Sequence, residues 1–277
     1  MVIKPHSENF QQTELGLFPK NWDYMPLQES DIEIIDGDRG NEYPKENEFS
    51  DSDFCLFLST KNVTKNGFEF DECEFISKNK DGRLRGGRLK REDIVVTTRG
   101  TVGNISYYDN QVPFDVMRIN SGMIILRNKG NAILQKFLYY FLTSTLVTKQ
   151  IKSFAFGSAQ PQLTIGLVNA LKLILPSLPE QKKIVNILSD TYNLIQTLEY
   201  LIEKKKNIKL GVMQDFLSGK KRLEGFSNDW KTTTLGSIGS FSKGKGLPKK
   251  DVKSSGKLKA IQYTSIYTDL KEVINYE

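Results

Sequence analysis

The 277 residues are 38% hydrophobic and carry 39 Lys and Arg against 33 Asp and Glu, a net charge of +6. Such a chain can build one or two domains with a real core, and its mild basic excess admits a nucleic-acid partner without demanding one. A single histidine, His6 in a polar N-terminal tail, removes most metal-ligand and acid–base constellations, and no apolar run approaches the roughly 18 residues of a membrane span.

The opening MVIKPHSENFQQ lacks the apolar segment that directs export, so a soluble cytoplasmic protein is expected, with no membrane partner. Residues 12–27 read as a loop leading to a short strand, with Trp22 as an anchor. A strand follows at Ile32–Ile35, then a tight turn at Asp36–Gly40, with Pro44 blocking continuation. Phe54–Ser59 has the aromatic content and length of a buried strand. Lys61–Gly67 is a turn, and Phe68–Ile76 alternates like a half-buried strand. Cys55 and Cys73 fall in these strand-like runs, which favours free thiols of a reducing cytosol over a disulfide.

Lys78–Arg91, KNKDGRLRGGRLKR, changes character. Seven of its fourteen residues are basic (Lys78, Lys80, Arg83, Arg85, Arg88, Lys90 and Arg91), only Asp81 opposes them within the segment, and three glycines loosen the backbone. A solvated loop is the plain reading. The functional one is a loop whose cations reach phosphates or guanine edges, its glycines letting the backbone lie close to a nucleic acid. Next come a strand at Asp93–Thr98, a Gly-bounded turn at Arg99–Gly103, a returning strand at Asn104–Tyr108 and another at Gly122–Arg127. Ala132–Lys149 is a helix apolar on more than one face and therefore mostly buried. SFAFGSAQPQLT is a loop, and Val168–Leu175 a closing strand. Up to about residue 177 this makes one α+β domain, strand-rich and mostly antiparallel.

Pro176 and Pro179 then clear the way for a helix that Glu180 and Gln181 open. Apolar residues recur at three- and four-residue steps at Ile184, Leu188, Ile195, Leu198 and Ile202. Ile187, Leu194, Leu201, Ile208, Val212 and Phe216 widen the stripe, over about five heptads. Gly219 ends the helix, with Lys220, Lys221 and Arg222 where the helix dipole favours cations. About 38 residues at ~1.5 Å each make a rod of roughly 57 Å. An ordinary surface helix is one reading; a helix that packs on another of its kind explains the length and the stripe better.

The sequence then echoes itself. Gly16, Trp22 and Leu27 are matched by Gly225, Trp230 and Leu235, DGDRGNEYPK by SKGKGLPKK, and FLSTKNV by AIQYTSI. The two tryptophans lie 208 positions apart, the length of one domain plus one rod. The expected organisation is therefore a domain over 1–177, a long spacer helix over 178–222 and the truncated start of a second domain over 223–277. GSFSKGKG nearly fits a phosphate-binding loop, but Gly246 stands where the magnesium-binding hydroxyl belongs. No methyltransferase box, zinc set or nucleophile elbow appears, so the chain reads as catalytically empty and free of cofactors.

LTIGLVNALKLILPSLPEQKKIVNIL and GVMQDFLSGK resemble the shared repeat of the specificity subunit of type I restriction–modification systems. So do the Trp-x4-Leu start, DGDRGNEYPK, REDIVVTTRGTVG and GSAQPQLT, and the resemblance spans essentially the whole chain. It implies two target-recognition domains, each followed by a long helix, the helices packing antiparallel so that each domain reads one half of a split double-stranded DNA site. It also implies two methyltransferase subunits as partners, restriction subunits for cleavage, and no chemistry by the specificity subunit itself. This chain differs in having one complete recognition domain, one helix and the opening of a second domain, which points to a homodimer through the helix. Its candidate DNA-binding residues are Lys61, Asn62, Lys78, Lys80, Arg83, Arg85, Arg88, Arg99 and Thr101, with the five stripe positions named above as the pairing seam. A protein-binding scaffold without specific DNA recognition is the alternative.

Overall fold

The computed structural model describes residues 9–155, 162–243, 246, 248, 251 and 252. His6, most of GSAQPQLT, most of SKGKGLPKK and all of AIQYTSI lie outside the described residues. The chain divides into two units, Met1–Lys204 and Lys205–Glu277. In the first, the order is β1 (Phe10–Thr13), β2 (Gly16–Pro19), β3 (Asp23–Pro26), β4 (Ile32–Asp36), β5 (Cys55–Leu58), β6 (Val63–Thr64), β7 (Gly67–Phe68), β8 (Phe75–Ile76) and α1 (Lys78–Arg83). It continues with β9 (Ile94–Thr97), β10 (Ile105–Tyr107), β11 (Met117–Ile119), β12 (Met123–Asn128), α2 (Gln135–Leu142), α3 (Thr145–Ala155), α4 (Ile165–Ala170), β13 (Lys172–Leu175) and α5 (Leu178–Leu217).

The apolar run of β9 is explained by burial on both faces. It lies inside an antiparallel sheet of order β10-β9-β12-β4, with Val95 opposite Ile125 and Val96 opposite Ile124. Side-chain alternation sends Ile94, Val96, Ile124 and Leu126 into one core, with Phe137 and Leu138 of α2, Val168 of α4 and Leu173 of β13. Val95, Met123 and Ile125 enter another, with Leu56 and Leu58 of β5 and Met117 and Ile119 of β11. Each fully buried side chain of this size stabilises the fold by roughly 1.5–3 kcal/mol. The result is a mixed α+β fold in which, among the described residues, only β5 and β11 pair in parallel. Cys55 and Cys73 are both free, and burial pushes the Cys55 thiol up to about 12.

Strands β4, β5, β9, β10 and β12 and the long helix fall where the sequence places them. Several other elements differ, each for a local reason. Residues 10–19 form a hairpin rather than a loop, closed by Gly16 at φ +121° and by the Thr13 hydroxyl, which donates to the Gly16 carbonyl at 3.0 Å. Phe68–Ile76 is not one strand. Its alternation serves an aromatic cluster of Phe68, Phe70, Phe75 and Phe114, and the Asn62 amide takes the Glu69 and Glu72 carbonyls that a ladder would have used. The expected helix over 132–149 is two helices. At the break, the Thr143 hydroxyl donates to the Tyr140 carbonyl at 3.0 Å and competes with continuation. Val168–Leu175 is half helix: Thr164 caps α4, and only Lys172–Leu175 pairs, with β3. Lys78–Arg83 is a short helix capped by Ser77 instead of loop.

Helix α5 is rooted in the first unit by the two residues that open it. Gln181, 1% exposed, accepts from the Leu134 amide at 2.9 Å and donates to the Ala132 and Pro176 carbonyls. Glu180 accepts from the Trp22 indole at 3.1 Å, which makes Trp22 the anchor expected of it. In the second unit the helix ends at Leu217, and Gly219 just beyond it takes a φ of +74° that is open to glycine. There the Arg222 guanidinium lies 5.2 Å from the Trp230 ring centre and donates to the Asn228 carbonyl, and α6 (Leu235–Ile238) follows. Among the described residues no helix is long and apolar enough to cross a membrane.

Candidate nucleic-acid interface

The basic run Lys78–Arg91 does not form one positive face. Lys80 is 5% exposed, with its ammonium 2.9 Å from Glu48 and 3.7 Å from Glu42. Arg83 meets Glu42 at 3.2 Å and Glu48 at 3.6 Å, and Arg88 meets Asp81 at 3.4 Å. Arg91 pairs with Asp115 at 2.6 Å and lies 4.2 Å from the Tyr108 ring centre, while Lys78 lies over Phe54. Apart from Asp81, the acids that neutralise this run come from outside it, and Lys78, Arg85 and Lys90 are exposed and without an ion pair to a described residue. Lys80 is thereby corrected from a DNA-contacting candidate to a buried ion-pair partner. Asn62 is corrected in the same way. Only 3% exposed, it accepts from the Ser59 amide at 2.9 Å and donates to the Glu69 and Glu72 carbonyls at 3.0 and 2.8 Å.

A different group of cations converges instead. The segments that leave β4, β5, β9 and β11 and the one that enters β12 meet around Asn120–Gly122. A Cβ on Gly37 would collide with the Asn120 carbonyl oxygen, and Arg39 donates to the Ser121 carbonyl at 3.2 Å. The Asn120 amide donates to the Leu58 carbonyl at 3.2 Å, and the Thr98 and Arg99 amides both donate to the Gly122 carbonyl. A Cβ on Gly122 would lie 3.1 Å from the Thr60 methyl, so the 59–62 and 98–103 turns close on the same point. The Thr97 hydroxyl donates to the Thr101 carbonyl and accepts from the Asn104 amide, which fixes the RGTVG turn. These segments carry Arg39, Lys61, Arg99 and Thr101, all exposed, and exposed Arg85 is tied to the first of them where its amide donates to Asp38 at 2.7 Å, which makes a candidate rim. Arg39 and the Asn120–Gly122 hub were not foreseen, although Arg39 sits in the DGDRG turn that the sequence singles out. Lys61 pairs with Glu72 at 2.8 Å in full solvent, where a phosphate can compete for it. The Arg99 guanidinium faces the Gln162 side-chain amide.

The pairing seam is partly redistributed. Ile184, with Val185, packs on the core of the first unit rather than facing outward. Leu188, Ile195, Leu198 and Ile202 are 40%, 48%, 48% and 56% exposed, and Ile187, Leu194 and Leu201 flank them in solvent. Among the described residues no group of three or more His, Cys, Asp or Glu side chains is placed to hold a metal ion.

Residues 19–209 match the family model described as the type I restriction modification DNA specificity domain. The chain is 27% identical over 243 residues to a Methanocaldococcus jannaschii protein named as the MjaX type I restriction enzyme specificity subunit, covering 83% of this chain and 55% of that protein. The MjaVIII specificity subunit of the same organism is 25% identical over 226 residues, covering 78% and 50%. The solved HsdS subunit from Thermoanaerobacter tengcongensis shares the fold at a TM-score of 0.50 and 17% identity, over 70% of this chain and 43% of that one. The chain spans about half the length of the curated relatives it matches.

Proposed function

The chain belongs to the type I restriction–modification DNA specificity family, and from that premise we propose that it is a DNA-binding specificity subunit reading one half of a bipartite double-stranded site. Residues 1–177 act as the recognition domain, 178–222 as the spacer, and 223–277 as the start of a second recognition domain. Methyltransferase subunits dock through α5, restriction subunits join for cleavage, and the complex works in the cytoplasm. The chain contributes no catalytic group and takes no cofactor. The observation that carries this reading is the rim itself, where Arg39, Lys61 and Arg99 stand exposed on loops joined through Asn120–Gly122 and exposed Arg85 is tied to the first of these loops through Asp38. Phosphate contacts would set the register there, and a few side chains would discriminate base edges.

Selection of duplexes from a random DNA pool by the purified chain is expected to enrich one short defined sequence. No enrichment above the input pool, together with capture of a protein partner by α5, would favour a protein scaffold instead. Supplied with Mg²⁺, ATP and a methyl donor, the same preparation should leave the enriched DNA uncut and unmethylated. Activity abolished by mutating one of the chain's own carboxylates would contradict this.

A further inference from the structure

Arg85 is held differently from the other cations of the rim. Its amide donates to Asp38 Oδ2 at 2.7 Å, and Arg118 donates to the carbonyls of Leu84 and Gly86 on either side. The Ile119 amide donates to the Gly87 carbonyl, and the Leu89 amide to the Met117 carbonyl, both at 2.9 Å. Gly87 has φ +81°, and a Cβ there would lie 3.0 Å from Ile119 Cγ1 and 3.3 Å from the Gly37 Cα, so only glycine serves. Asp38 also accepts from the Gly40 amide at 2.8 Å, and these amide bonds hold its carboxyl below the usual carboxylate range. A fixed backbone thus carries an exposed guanidinium with no hydrogen bond or ion pair to a described residue, while Arg83, Arg88, Arg91 and Arg118 are all tied to carboxylates.

We propose that Arg85 reads a guanine in the major groove through O6 and N7, with Asp38 and Arg118 as the positioning residues that fix its backbone. This rests on the DNA-binding reading above. A phosphate is satisfied by a mobile point charge such as Lys61, whereas a bidentate fork gains from an origin that does not move. Asp38 acts on Arg85, through its amide and through the charge of the carboxylate, and touches no base.

The test is random-pool selection with the full chain as wild type, Arg85→Ala, Arg85→Lys and Asp38→Asn, scored position by position. Wild type is expected to require guanine at one position, and Arg85→Ala to lose that preference by roughly 5- to 150-fold while keeping the others. Arg85→Lys should fail to restore it, because an ammonium cannot form the fork. Asp38→Asn, with an unchanged unfolding midpoint, should weaken that same position more than any other. A wild type that enriches a site while Arg85→Ala keeps every preference, or loses all positions uniformly, overturns the inference and leaves DNA reading intact. A wild type that enriches nothing removes the DNA-binding reading and this inference with it.

Discussion

Replacing Asp81 by Ala is expected to destabilise the first unit by about 3–5 kcal/mol, because it leaves a buried guanidinium without its carboxylate. The Arg118 and Asp81 side chains are 6% and 4% exposed, and Arg118 donates through Nε to the carboxylate and through Nη2 to the Asp81 carbonyl at 2.8 Å. The same guanidinium bonds the Leu84 and Gly86 carbonyls, so losing its partner also loosens the segment that carries Arg85. Urea unfolding is the measurement, with a lowered midpoint at unchanged slope as the expected result. Replacing both members together, Asp81→Leu with Arg118→Met, should recover only part of the loss, since no charge is left uncompensated but the Asp81, Leu84 and Gly86 carbonyls lose their donor. An Asp81→Ala protein within about 1 kcal/mol of wild type would mean that the carbonyl bonds alone hold Arg118.

The second large effect concerns α5. Leu188, Ile195, Leu198 and Ile202, with Ile187, Leu194 and Leu201, are each about half exposed. Covering the remaining half on two chains, at about half of ~1.5–3 kcal/mol per side chain, yields roughly 10–20 kcal/mol, against association costs of ~4–15 kcal/mol. The midpoints leave roughly 5 kcal/mol in favour of pairing, and we propose an antiparallel homodimer over residues 180–217. Its two-fold axis would make the DNA site a symmetric, interrupted one. Leu198→Asp sets a charge from each chain near the middle of the seam and is expected to return the protein to monomer in sedimentation. A wild-type monomer, or a dimer indifferent to Leu198→Asp, would reserve the stripe for a methyltransferase subunit.

Much of the architecture was legible because its signals are local. IVVT, CLFL and MIILRN are buried strands, and the proline-opened, glycine-closed amphipathic run is α5. What escaped depends on partners distant in sequence. Strand β11 reads as polar because Arg118 stands in its middle, and only Asp81, 37 positions earlier, makes that arginine buriable. Composition finds the charge of Lys78–Arg91 but not the acids that cancel it, which arrive from Glu42, Glu48 and Asp115. Asn62 has the pattern of a loop reader, yet its amide is needed to close the 69–72 backbone. The rim was half visible: Lys61, Arg85, Arg99 and Thr101 lie in loops by pattern, whereas their convergence depends on Asn120–Gly122, which carries no motif.

Whether that rim meets DNA is decided by the salt dependence of binding. For the enriched duplex, log K against log salt should fall linearly for wild type, and the slope should become shallower by about 0.9 for each phosphate the protein no longer neutralises. Arg39→Ala, Lys61→Ala and Arg99→Ala together are expected to flatten it by up to about 2 or 3 and to weaken binding at low salt. Arg83→Ala, already paired within the protein, should leave the slope unchanged. A folded triple variant with the wild-type slope and affinity, or an Arg83→Ala protein that weakens as much as the triple, would contradict the account and move the interface elsewhere on the chain.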